Sequence, residues 1–245
     1  MKSFDSITWK DNPKIKAVFS LKNPHYGEEN EIDGLNLGYN TTEKQSVTES
    51  NKKIWLKAEG FNADFLATGV QVHDRNVQIV HKPGSYDETD GFVTNEKGLA
   101  LGIFIADCSA SLLYDEKKQI IGACHAGWKG AAADIMSATV SKMKALGSHP
   151  NDIEVFVGPC ISVDNFEVGE EVATLFPDAF VDRSHKKPHV DLKGFIKQRF
   201  IDNGIPEDKI EISGECTFGD ASRFYSYRRD GTKSGRMMGV IMLRR

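Results

Sequence analysis

The sequence predicts an α+β fold, a mixed β-sheet core flanked by helices, within one domain spanning residues 1–245. Two observations carry this reading: apolar, β-branched runs of strand length recur from end to end, and segments with helical spacing alternate with them. A third concerns the joints. No Pro/Gly/Ser-rich linker, low-complexity run or internal repeat divides the chain.

The runs at 15–20, 77–81, 101–106, 120–126, 153–157, 210–213 and 238–243 read as strands. Several are almost continuously apolar, the pattern of strands covered on both faces. Thr42 and Gln45 have capping-box spacing ahead of a polar-faced segment that reaches Gly60, which predicts a helix stopped by glycine. Ala132, Ile135, Met136, Thr139, Val140, Met143 and Leu146 recur at helical spacing before Gly147, a stripe for core packing. Asp191 precedes Leu192, Phe195, Ile196 and Phe200, with Gly204 beyond, and predicts an N-capped amphipathic helix.

With 40% hydrophobic and 27% charged residues the composition is that of a globular protein able to bury a sizeable core. The net charge of -4 gives no general pull towards nucleic acid or an anionic membrane. No run approaches the roughly 20 apolar residues needed to span a bilayer, and residues 1–10 lack the blocks of a signal peptide, so the expected compartment is the cytoplasm. Cys108, Cys124, Cys160 and Cys216 are too few and too widely spaced for a disulfide framework and are expected as free thiols.

Three segments place a borderline or soft metal ligand beside a strand or turn: Gln71-Val72-His73, Ala106-Asp107-Cys108 and His125-Ala126-Gly127-Trp128. Two imidazoles and a thiolate suit zinc, and three protein ligands leave a fourth position free for water or substrate, as in catalytic sites. Separations of 35 and 17 residues do not match a zinc finger. Taken singly, each residue has a plainer reading, since buried Cys is usually a small hydrophobe and a lone His a hydrogen-bonded core residue. Position strengthens the metal reading: Cys108 follows one expected strand and His125 lies near the end of another, where ligands converge. Cys124 should face away from His125, because successive strand residues alternate faces, and is assigned to packing.

The Tyr227-Arg228-Arg229-Asp230-Gly231 segment, with Lys233 and Arg236 close behind, has the guanidinium forks that bind a phosphate; a solvated turn with surface charges is the alternative. Gly158-Pro159-Cys160, ahead of Phe166-Glu167-Val168-Gly169, either shapes a pocket wall or is a structural loop. His25, His81, His149, His185 and His189 have no partner spacing and are expected mostly at the surface.

These motifs occur together in a fixed order. With Leu35-Asn36-Leu37-Gly38 they cover about residues 17–242 and resemble the YfiH-type laccase-domain family, also called multicopper polyphenol oxidase-like. The resemblance implies a YfiH-like fold, metal ligation by His73, Cys108 and His125 as the catalytic residues, and substrate contacts from Asn36, Arg228 and Arg229. It departs from the family's usual pattern after Phe19-Ser20, at Ile105 and at Lys129, positions expected near the pocket. The implied reaction is phosphorolysis of adenosine, inosine, guanosine or methylthioadenosine to base and sugar 1-phosphate, with adenosine deamination as a second activity. The implied cofactor is zinc, with copper as the alternative ion, and the partners are purine nucleosides and phosphate.

Copper-dependent phenol oxidation is a second reading. Seven histidines without clustered His-X-His pairs are poor material for the four coppers of a multicopper oxidase. A non-enzymatic, metal-stabilised interaction module is a third.

Overall fold

The computed structural model describes residues 4–27 and 30–245. Along the described chain the strands are β1 (Ser6–Asp11), β2 (Ile15–Ser20), β3 (Leu66–Gly69), β4 (Val77–Ile79), β5 (Gly84–Tyr86), β6 (Gly91–Thr94) and β7 (Ala100–Ile105), followed by β8 (Ser109–Asp115), β9 (Ile120–Ala126), β10 (Ile153–Val157), β11 (Val181–Asp182), β12 (His189–Val190), β13 (Ile210–Ile212) and β14 (Met237–Leu243). The α-helices are α1 (Gln45–Ala58), α2 (Trp128–Ala132), α3 (Ile135–Ala145), α4 (Glu170–Ala173), α5 (Leu192–Asp202) and α6 (Tyr227–Asp230).

Two six-stranded mixed sheets carry the fold, in the orders β1-β2-β14-β7-β3-β5 and β13-β10-β8-β9-β6-β4, and β11 pairs with β12 apart from them. The alternation of side chains along each strand explains why the sheets stack. In β2, Ile15, Ala17 and Phe19 enter one apolar cluster with Leu112, Ile121, Ala123 and Phe156 of the other sheet, while Val18 enters a second cluster with Trp55 and Leu56 of α1. In β9, Ile121 and Ala123 face the first sheet, and Ile120 and Cys124 face Met136, Val140 and Met143 of α3. The layers are therefore α1, first sheet, second sheet, then α3 with α5. Each fully buried Phe, Leu or Ile in these clusters contributes on the order of 2 kcal/mol.

The fold is the expected α+β class with a mixed-sheet core. Strand β9 is buried throughout, as its nearly continuous apolar run predicts; β8 is equally buried although it carries Ser109, Ser111 and Asp115, and no strand was expected there. The helix ends agree in part. Asp191 caps α5 by accepting from Gly194 N at 2.9 Å, and Gly60 takes a positive φ of 79° just beyond α1. The capping box at Thr42 and Gln45 does not form: α1 begins at Gln45 behind Lys44, with no side-chain cap. The stripe from Ala132 to Leu146 is likewise not one helix. Asp134 adopts a left-handed φ of 66° and accepts from Ser137 N, ending α2 and starting α3. His189 is buried, whereas His25, His81, His149 and His185 are exposed as expected.

The chain passes from the first sheet to the second between β7 and β8, through Ala106-Asp107-Cys108. Asp107 makes this turn with φ 81°, a conformation costly for a residue other than glycine. No helix of the described residues is long and apolar enough to cross a membrane.

Candidate active site

His73, Cys108 and His125 converge at the strand ends, their ligand atoms all within 4.8 Å of one another. Three local devices bring them there. Beyond β3, the Gln71 side chain mimics a strand partner: its Nε2 donates to Phe104 O at 2.9 Å and its Oε1 accepts from Phe104 N at 2.8 Å. This pins the segment to β7, and His73 then turns with φ 64°. Cys108 stands on the crossover between sheets. His125 is the penultimate residue of β9, and Cys124 faces α3 in the core, as strand alternation requires.

Asp90 organises the metal side. It sits just before β6, whose pairing of Gly91 with Cys124 sets Asp90 beside His125. The fully buried Asp90 carboxylate accepts from Val72 N at 2.9 Å, His73 N at 2.9 Å, Asp74 N at 3.2 Å and His125 Nδ1 at 2.8 Å. The bond to Nδ1 leaves His125 Nε2 for the triad, the carboxylate–histidine arrangement common behind metal sites. Burial opposes the Asp90 charge, but the His125 bond and the backbone donors hold its pKa below the usual value.

The triad is electrostatically coupled. Burial disfavours a Cys108 thiolate, yet His125 and then His73, by charge and hydrogen bond, bring its pKa down to about 6. Burial also disfavours an imidazolium at His125, and the Cys108 thiolate with Asp90 overrides it, raising its pKa to about 9.

Asp107 organises the opposite wall. Its Oδ1 accepts from Thr217 Oγ at 2.7 Å, and its Oδ2 accepts from Ser226 Oγ at 2.9 Å and from Arg228 N at 2.6 Å, tying the Cys108 turn to the start of α6. The triad and α6 open onto one cleft of about 960 Å³. Tyr39, Phe104, Trp128, Phe166 and Tyr227 give it aromatic walls, and Arg228 and Arg236 supply cations.

Of the residues expected to contact substrate, Arg229 and Asn36 stand outside the cleft lining. Arg229 does not line the cleft; its guanidinium donates to the carbonyls of Thr217, Phe218 and Phe224 and to Asp230. Asn36 is fully buried, and its Oδ1 accepts from Gly38 N and from Arg236 N at 2.9 Å, so it supports Arg236 from behind. Arg228 does line the cleft, with one nitrogen donating to Glu167 O at 2.8 Å. Ile105 and Lys129, expected near the pocket, adjoin the lining residues Phe104, Ala106 and Trp128 without lining the cleft themselves, and residues 21–24 are not part of the lining. Their departures from the family pattern lie outside the cleft wall.

The donor set fits a metal ion. One nitrogen from each histidine and a thiolate sulfur suit zinc, and an approach of about 1 Å would bring the ligands to tetrahedral separations. Gly127 keeps the space clear, since a Cβ there would lie 2.7 Å from Cys108 Sγ and 3.2 Å from His73 Cδ2. His73 is exposed, Cys108 partly exposed and His125 buried, so the group opens to the cleft on one side.

A mixed two-sheet core with a His/Cys/His group at its rim defines a class, and the sequence matches one over residues 16–244: the chain belongs to the family described as multi-copper polyphenol oxidoreductase laccase. Among its relatives is a purine nucleoside phosphorylase of Deinococcus radiodurans, 40% identical over 218 residues that cover 86% of this chain and 83% of the relative. Purine nucleoside phosphorylase YlmD of Bacillus subtilis is 32% identical over 254 residues, covering 96% and 90%. The crystal structure of Bacillus licheniformis protein YfiH superimposes with a TM-score of 0.89 at 28% identity, covering 97% of this chain and 99% of that one.

Proposed function

We propose that the protein is a purine nucleoside phosphorylase that cleaves adenosine, inosine, guanosine or methylthioadenosine with phosphate, and that deaminates adenosine as a second activity. The observation that carries this reading is the shared cleft: a metal-ligand triad and two guanidinium groups line one space of about 960 Å³, large enough for a nucleoside and an anion. The relatives named purine nucleoside phosphorylase support it.

His73, Cys108 and His125 would hold zinc, which supplies Lewis-acid chemistry for charge developing on the purine or on an attacking water. Asp90 fixes the His125 ring and the 72–74 backbone, so ligand geometry needs no reorganisation during reaction. Arg228 and Arg236 position phosphate against the ribose, a step in which proximity supplies much of the rate. Asn36 positions Arg236, and Arg229 anchors α6 beneath Arg228. The aromatic walls exclude water from a stacked base.

Copper-dependent phenol oxidation is the reading suggested by the family's description. Copper competes strongly for nitrogen and sulfur ligands. Among the described residues, however, the triad is the one group suited to a metal, whereas multicopper chemistry needs several.

Purified protein incubated with adenosine, with and without phosphate, distinguishes the readings by mass spectrometry of the products. Adenine and ribose 1-phosphate only when phosphate is present support phosphorolysis, and inosine without phosphate supports deamination. No turnover of any purine nucleoside overturns the proposal.

A further inference from the structure

Outside the cleft, two cysteines stand opposite each other across a backbone bridge. Strands β10 and β13 run parallel, and the pairing continues past their ends as a bridge whose direct partners are Cys160 and Cys216. Thr217 N donates to Cys160 O at 3.3 Å in the same bridge. Partners in adjacent strands present side chains on one face, and the strand spacing of about 4.8 Å falls within the roughly 4.4–6.8 Å Cα separation that a disulfide spans.

The two thiols are unequal. Cys160 is fully buried, and burial pushes its thiol up to about 12. Cys216 is partly exposed, and its Sγ receives Ser162 Oγ at 3.1 Å, Ser162 N at 3.3 Å, Gly219 N at 3.4 Å and Asn165 Nδ2 at 3.5 Å. Burial raises the Cys216 pKa, but the Ser162 hydroxyl and the backbone N–H groups of Ser162, Gly219 and Phe218 outweigh it and hold the thiol below its ordinary value. A partly exposed thiol of lowered pKa beside a protonated, protected one is the arrangement of an attacking and a resolving cysteine.

We propose that Cys216 and Cys160 form a hydroperoxide-responsive dithiol, in which Cys216 is oxidised first and Cys160 closes the disulfide. The Cys216 thiolate attacks one peroxide oxygen, the O–O bond breaks, and the departing hydroxide takes a proton from solvent, leaving a sulfenic acid. Cys160 sulfur then attacks Cys216 sulfur, the S–O bond breaks, and the departing hydroxide takes the Cys160 proton to form water. Two thiols lose two electrons, and one peroxide becomes two waters.

The pair is wired to the cleft through its chain neighbours. Ile161 N donates to Asp107 O at 3.0 Å, and Thr217 Oγ donates to Asp107 Oδ1 at 2.7 Å. Residues adjacent to each cysteine thus hold the turn that seats Cys108, and closing the disulfide shifts both. This consequence rests on the triad being the active centre; the thiol chemistry does not.

The test treats the protein as isolated with limiting hydrogen peroxide, blocks free thiols, and maps peptides without reduction. The expected product is a Cys160–Cys216 linked peptide lighter by two hydrogens and reversed by dithiothreitol. Cys160→Ser should instead accumulate a Cys216 sulfenic acid trapped by dimedone, and Cys216→Ser should leave Cys160 unmodified. Unlinked Cys216 sulfinic acid in the unmutated protein, linkage of either residue to Cys108, or no oxidation overturns the proposal. If the disulfide forms, nucleoside turnover should fall several-fold and recover on reduction. Unchanged turnover would remove the coupling to Asp107 and leave the dithiol standing. A preparation without any nucleoside turnover would count against the proposed function, and the peptide map would still decide the thiol chemistry.

Discussion

The two sides of the cleft are built on the same plan and end in different states. Each has a buried carboxylate gathering backbone and side-chain donors: Asp90 behind the triad, and Asp107 behind α6. On the metal side, Asp90 leaves the ligand atoms of His73, Cys108 and His125 turned towards one another. On the cationic side the guanidinium groups already donate to carbonyls, Arg228 to Glu167 and Arg236 to Ser234, Gly235 and Asn40. The triad side thus offers its ligand atoms to one metal ion. The cationic side has only its remaining donors for an anion, so it should bind phosphate weakly and exchange it readily.

The largest effect that tests this contrast is expected for Cys108→Ala. Two imidazoles without the thiolate hold zinc poorly, so metal content and both nucleoside activities should fall by orders of magnitude while circular dichroism stays native. Retained zinc and turnover would remove the triad from the mechanism. Asp90→Asn should come next. It keeps the shape but gives up the charge behind His125, and zinc affinity should drop ~10–100-fold, measured against a competing chelator.

On the cationic side, Arg236→Ala should raise the KM for phosphate by ~10-fold or more, the cost of a lost charge-assisted contact, and leave deamination nearly unchanged. Arg228→Ala should act in the same direction but less, because this side chain is exposed. Arg229→Ala should lower the melting temperature with little specific effect on phosphate, since its donors hold backbone carbonyls. A phosphate KM that responds to Arg229 and ignores Arg236 would reverse the assignment of the two arginines.

The coupled titration gives a further handle on the metal side. In metal-free protein at pH 7, Cys108, lowered to about 6, is mostly thiolate, while His125, raised to about 9, is mostly protonated. Zinc needs the His125 nitrogen free, so binding should release about one proton from this pair, read from the buffer dependence of the calorimetric enthalpy. The sign is specific: release from His125 should vanish above its raised pKa, and release from Cys108 should grow as pH falls through about 6. The same thiolate should alkylate near neutral pH only when zinc is absent.

What the sequence made legible follows from what local pattern encodes. Cys108 and His125 were readable because each stands at the end of an expected strand, whereas His73 joined them through the family resemblance, and strand alternation separated Cys124 from His125 without coordinates. Asp90 was not readable. Its role comes from the pairing of β6 with β9, and the four-residue run Gly91–Thr94 is too short to announce itself as a strand. An acid immediately before a β-rich run, with the chain later returning through His125, was the available signal. Arg228 and Arg229 look alike in sequence, and only the loop at 217–224 decides which guanidinium is enclosed. Asp134 interrupted an apolar stripe that was otherwise continuous. Periodicity records which face is buried, and a left-handed residue can break the helix without changing that face.

The smallest expected effect is the control that gives Cys108→Ala its meaning. Cys124 lies one residue before the ligand His125 and is fully buried among Met136, Val140 and Met143 on the α3 side of the second sheet. Burial pushes its thiol up to about 12, so at neutral pH it is a protonated, uncharged filler and not a competing ligand. Replacing it with alanine removes one sulfur atom from a packed layer and should lower stability by ~1 kcal/mol in a urea titration, the usual scale for a small core truncation. Zinc content and turnover should stay close to the unmutated values, because the backbone pairing that seats His125, Gly91 with Cys124 and His125 N with Asp90 O, uses no side-chain atom of Cys124. Should Cys124→Ala instead lose its metal, β9 would be too compliant to hold His125 independently of the packing beneath it. The division between a ligand face and a packing face would then fail at the strand on which it depends.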